Sequence, residues 1–160
     1  MSLRPNLLAA LKRCIPLEDG DSSNYEEFDY VHLFGHAQQA LLLAVIFDPK
    51  FIEFEDSVIL EQAARDDRAL RRFQISRQSS GMSLDALESS FNRIEVPYLF
   101  LPSGQDIPEG EWELLAELIA RSWRAHLALN FPARRFVVRV EPALGEEEVT
   151  VTFHEVRSTV

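Results

Sequence analysis

The stretch 107–129 constrains this chain most. At about 100° per residue, Trp112, Leu115, Leu118, Ile119, Trp123 and Leu129 fall on one broad face. Asp106 and Glu109 suit a capping box at the start of that helix, and Asn130 and Pro132 suit its end. A helix with so wide an apolar face must lie on something apolar, and the next residues supply it. Residues 136–141 and 149–155 alternate as strands. Phe136, Val138 and Val140 share one face; Val149, Val151 and Phe153 share the matching one, across a turn region containing Gly145. The short connection 130–135 folds this hairpin back onto the helix, which predicts that Trp112 and Trp123 are buried between them.

Two polar residues sit at the centre of the helical stripe, Ser122 and, one turn on, His126. A buried His must find a partner or stay neutral, because an unpaired buried charge is costly. The spacing lets Ser122 and His126 hydrogen-bond, and a Ser–His pair is the core of many nucleophilic sites. No Gly-x-Ser-x-Gly turn accompanies it. The pair therefore reads as a satisfied core histidine.

The rest of the chain reads as further helices and a second hairpin. Pro5 suits the first turn of a helix over 5–14. Ser23 and Glu26 form a capping box for a helix running to about Phe34. Gly35 either ends that helix or is passed through at a cost of about 1 kcal/mol. The stretch 36–47 is apolar nearly all round, a pattern normally buried, and Asp48-Pro49 stops it. Residues 51–60 read as a small β-hairpin. Residues 63–78 form a charged helix, and Ser83 caps another in which Leu84, Leu87, Phe91 and Ile94 keep helical spacing until Pro97. The expectation is a single globular α+β domain over 1–160, with about five helices packed with two antiparallel β-hairpins.

Charge narrows the partners. The formal net charge is −10. Nucleic acid and anionic lipid need a basic face, so both are disfavoured, and steering would favour a basic protein. The longest apolar run, 40–47, is far below the roughly 18–20 residues that span a bilayer. One cysteine, Cys14, allows no internal disulfide, and the stretch 1–14 makes a poor signal peptide; a reducing, cytoplasmic setting is expected.

Three further clusters could carry chemistry. Tyr25, Asp29, His32 and His36 share one face if the helix is continuous, and Asp29, His32 and His36 would then offer three ligands to a divalent metal with water in the fourth place. The metalloprotease pattern is absent, because no Glu follows His32. Arg65, Arg68 and Arg72, with Arg71 and Arg77 nearby, could clamp a phosphate or carboxylate, though Asp66 and Asp67 dilute the field. Glu146, Glu147 and Glu148, together with Glu18, Asp19, Asp21, Glu26 and Glu27, could face a basic protein. Glycine-rich phosphate loops and cysteine clusters are absent. The leading expectation is a non-catalytic protein-binding module without a cofactor, a regulator or an immunity-type inhibitor of a basic partner. The alternative is a metal-dependent enzyme using Asp29, His32 and His36.

Overall fold

The computed structural model describes residues 4–15, 25–100, 107–142 and 148–157. Their order is α1 (Arg4–Cys14), α2 (Glu27–Phe34), α3 (Ala37–Phe47), β1 (Phe51–Phe54), β2 (Ser57–Leu60), α4 (Asp67–Ser79), α5 (Leu84–Phe91), β3 (Arg93–Glu95), α6 (Glu109–Asn130), β4 (Phe136–Glu141) and β5 (Thr150–Glu155). Short 3₁₀ turns cover Glu61–Ala64 and Pro97–Phe100. This is an α+β architecture of six helices and two antiparallel sheets, β1-β2 and β3-β5-β4. No helix among the described residues is long and apolar enough to cross a membrane.

The hairpin of β4 and β5 forms in the expected alternation, with Val138 opposite Phe153 and Val140 opposite Val151. The helix α6 lies on that face. Ala116, Ile119, Ala120, Trp123 and Leu127 pack with Val138, Val149, Val151 and Phe153 into the main core. Phe51, Trp123 and Phe153 meet edge to face in its middle, with ring centroids 5.4–6.4 Å apart. Trp123 is buried as expected, whereas Trp112 is only half-buried, tilted against Phe100. The stripe is also rotated from the expected one. Its inner line runs through Ala116, Ile119, Ala120, Trp123 and Leu127, while Leu129 is exposed. The two alanines let the backbone approach the sheet, and that decides which side faces in.

The strand β5 is central and covered on both faces. Its alternate residues Thr150, Thr152 and His154 are buried as well, beneath α5 on the opposite side of the sheet. A third strand, β3, completes that sheet. The helix starting after Ser83 does not reach Val96: it ends at Phe91, and Ile94 pairs with Val151. Ser83 does cap it, accepting from the Ala86 amide at 3.3 Å. The charged helix is likewise shorter than expected, since residues 61–64 form a 3₁₀ turn and α4 opens at Asp67 with Asp66 as its cap.

The hairpin of β1 and β2 is a wedge between two cores. Val58 and Leu60 point into the main core, and Ile59 points with Phe73 and Leu87 into a smaller one. Its two-residue turn puts Glu55 at φ 55°, the positive value that tight hairpin turns demand. Asn92 joins this wedge to the larger sheet. Its side-chain oxygen accepts from Leu60 N at 3.0 Å, and its amide donates to Val58 O at 3.0 Å and to Phe153 O at 3.4 Å.

Candidate functional site

The face expected to carry Asp29, His32 and His36 does not form. The helix α2 ends at Phe34, and Gly35 and His36 are extended, at φ −75°, ψ 130° and φ −113°, ψ 125°. His36 is thus the residue before α3, off the face that bears Asp29 and His32. Gly35 stands where a Cβ would come 2.3 Å from the Val31 carbonyl oxygen, so only glycine fits this break. Asp29 is used locally: its carboxylate accepts the Glu26 amide at 2.8 Å, which moves the capping box from Ser23 to Glu26. Among the described residues no three His, Cys, Asp or Glu side chains are grouped to hold a metal ion.

Ser122 and His126 do not bond to each other. Ser122 Oγ donates to Phe47 O at 2.5 Å, and the neighbouring Trp123 Nε1 donates to Ile46 O at 2.9 Å. Those are carbonyls of the last turn of α3, which have no partner within their own helix. His126 Nδ1 lies 2.9 Å from the carboxylate of Asp48, the residue closing α3, at ion-pair distance but without hydrogen-bond alignment. Its side chain is 28% exposed, so the fully buried position expected of it is not observed. The polar centre of the α6 stripe is a socket for the end of α3.

Arg68, Arg71 and Arg72 are exposed on α4 and Arg65 precedes it; none of the four makes an ion pair among the described residues. Arg77 is different. It holds Asp56 through Nη1 at 2.5 Å and Nη2 at 2.9 Å, and Glu55 at 2.8 Å. The hydrogen bonds from Arg77 hold the Asp56 carboxyl below its ordinary range.

Sequence reasoning missed the densest polar cluster. Glu88 is wholly buried; it receives Arg157 Nη2 at 2.6 Å, Arg157 Nη1 at 3.1 Å and the Glu155 amide at 2.9 Å. Those bonds to Glu88 raise the Arg157 guanidinium above its usual value. Arg157 and Arg134 both donate to the Asp56 carbonyl, at 3.0 and 2.9 Å. A local signal for this existed, because Glu88 occupies an inward position of α5 beside Leu84, Leu87 and Phe91. Next to it, Ser89 Oγ lies 3.0 Å from His154 Nδ1. The ring is 8% exposed, and no carboxylate orients its other nitrogen among the described residues. Nucleophilic catalysis needs that access and that third group, so these contacts bind α5 to β5. Burial pushes the Cys14 thiol up, with Glu111 adding to the effect, which makes it a poor nucleophile.

Of the acidic group, Glu146 and Glu147 lie outside the described residues, as do Glu18, Asp19 and Asp21, and Glu148 is exposed. The structure adds two carboxylates to it. Glu95 and Glu141 flank Thr150 across the three strands, and Glu148 precedes Thr150 by two residues. Glu141 accepts from Thr150 Oγ1 at 3.2 Å. Glu95, Glu141 and Glu148 are exposed, and none makes an ion pair among the described residues. Residues 30–47 have the opposite character, containing no Asp, Glu, Lys or Arg. Comparison with protein-family models, with curated proteins and with solved structures finds no match for this chain.

Proposed function

We propose that this chain is a non-catalytic binding module that docks a basic protein, as a regulator or an immunity-type inhibitor does, through the carboxylates at one end of its larger sheet. One observation carries the reading. Glu95, Glu141 and Glu148 lie there without an ion pair among the described residues, although Arg93 and Arg139 flank Thr152 one step along the same face, and Glu146 and Glu147 continue the same run in sequence. Several carboxylates elsewhere are committed, Glu88, Glu155 and Asp56 to arginines and Asp29 and Asp66 to helix caps, whereas Asp67 and Glu113 are exposed singly on helices. On a chain of net charge −10, an uncommitted cluster raises the local concentration of cationic surfaces and speeds encounter. The surface depression lined by Arg72, Ser76, Ser90 and Phe91 places no His, Asp or Glu beside its hydroxyls.

The test is kinetic. Basic proteins retained by the immobilised chain from a cell extract are identified, and their association is measured against the wild type and a variant with Glu146, Glu147 and Glu148 changed to Gln. The expected result is an association rate about tenfold lower in the variant, with dissociation changed by less than about threefold. The wild-type rate should also fall steeply between about 50 and 500 mM salt. Retained proteins that are not basic, or that bind the variant with unchanged kinetics, sink the reading.

A further inference from the structure

We infer that the apolar surface of α2 and α3 is covered by a second copy of this chain. Phe28, Val31, Leu33, Phe34, Leu41, Leu42 and Val45 are each between 39 and 79% exposed. The helix α3 is the most apolar in the chain, yet none of its residues is buried. Its last turn is held, through Ile46 and Phe47, on the main core and the α6 socket. Leu41, Leu42 and Val45 lie together on one side of the remainder. Helices of 8 and 11 residues gain little from intrinsic propensity in water and depend on packing for their stability.

The occupant follows from area and charge. At about 150–250 Å² for an aromatic side chain and somewhat less for Leu or Val, the seven leave on the order of 700 Å² in water. A stable pair of proteins buries about 800 Å² on each partner. A basic partner would find no carboxylate between residues 30 and 47 to pair with. An anionic lipid surface would find no Lys or Arg there, and membrane-surface helices depend on those residues. A second copy needs neither. The carboxylates of α2, Glu27 and Asp29, stand beside Phe28 at the start of that helix, and Asp29 is committed to its cap; from residue 30 to 47 two chains of net charge −10 meet no opposing carboxylate, and an uncharged apolar centre is the composition of a permanent homodimer interface. A twofold axis sets α2 and α3 of one copy against those of the other, so each apolar side chain contributes twice.

The surface is distinct from the acidic end of the larger sheet, so the two readings fail separately. Light scattering and sedimentation equilibrium on the full chain should give twice 18.3 kDa down to about 10 µM. Leu41→Glu and Leu42→Glu alter exposed positions, and each should raise the dimer dissociation constant by on the order of 100-fold or more, because the charge is buried unpaired in both copies. Circular dichroism should show that both variants keep the helix content of β-sheet-bound α6 and the other core helices. The variant with Glu146, Glu147 and Glu148 changed to Gln should remain dimeric. A wild-type monomer at about 200 µM, whether or not it binds vesicles of anionic lipid, overturns the inference. So does a dimer that survives both glutamates, or open-ended association in place of a twofold pair.

Discussion

Replacing Asn92 tests whether one buried amide holds the two sheets together. Asn92 is wholly buried, and β2 offers it the edge that β1 leaves free. In Asn92→Ala the Leu60 amide and the Val58 carbonyl both lose their partner, in residues that are themselves about 1% exposed. A buried backbone group left unsatisfied costs about 1–3 kcal/mol, so the pair is worth about 2–6 kcal/mol. The vacated volume adds to that. Asn92→Asp keeps the acceptor for Leu60 but turns a second oxygen toward the Val58 carbonyl, and at neutral pH it should cost at least as much as Ala. Asn92→Leu fills the space and leaves both groups orphaned, so it too should destabilise, by about 2 kcal/mol or more. The assay is equilibrium unfolding in urea, with an unchanged slope showing that the surface exposed on unfolding is the same. A value for Asn92→Ala within about 0.5 kcal/mol of wild type would refute the bridging role, as would a Leu variant more stable than wild type.

Two further predictions concern the charges around the small hairpin. Arg157→Ala strands the buried Glu88 carboxylate and should cost about 3–5 kcal/mol, lowering the melting temperature by on the order of 10 °C. Exchanging both Glu88 and Arg157 for Met should recover most of that loss; calorimetry showing the double variant no better than Arg157→Ala counts against the account. The second involves pH. The Asp56 carboxyl is held low by Arg77, so it contributes stability above its unfolded value of about 3.9 and loses it as pH falls through the lower folded one. Asp56 is more than half exposed, which limits the contribution to under about 1 kcal/mol. The urea midpoints of wild type and Arg77→Met should therefore differ at about pH 5 and converge toward about pH 2, and parallel curves would contradict this.

Elements encoded by a local period were legible. The α6 helix itself, the β4–β5 alternation, the 51–60 hairpin and the Ser83 cap each follow from neighbouring residues. What escaped depends on distant ones. Ile94 keeps helical spacing with Leu87 and Phe91, yet it is a strand residue because Val151 offers it an edge. The face of α6 is set by how closely Ala116 and Ala120 let the sheet approach, which a count of large apolar residues ignores. Ser122 and His126 looked like a pair because they are one turn apart, but each serves the end of α3, 75 residues away in the case of Ser122. Gly35 left two readings open; α2 ends before it, in a conformation where any side chain would meet the Val31 carbonyl. For the acidic cluster, the run 146–148 was visible, while the placement of Glu95 and Glu141 beside it required the register of the sheet.

The position of β5 has a consequence for the order of folding. It comes after every other described element but lies in the middle of its sheet, between β3 and β4, with a helix on each face. Until residues 150–155 have left the ribosome, β3 has no strand to pair with, α5 has only the small hairpin and α4 to pack on, and α6 faces half a platform. The pairing of Arg93 with Thr152 closes a long loop, a contact that raises contact order and slows the search. A nascent chain stalled before Thr150 should therefore show hydrogen-exchange protection in few of its helical amides and none in β3, with the cooperative transition arriving only as the last strand is released.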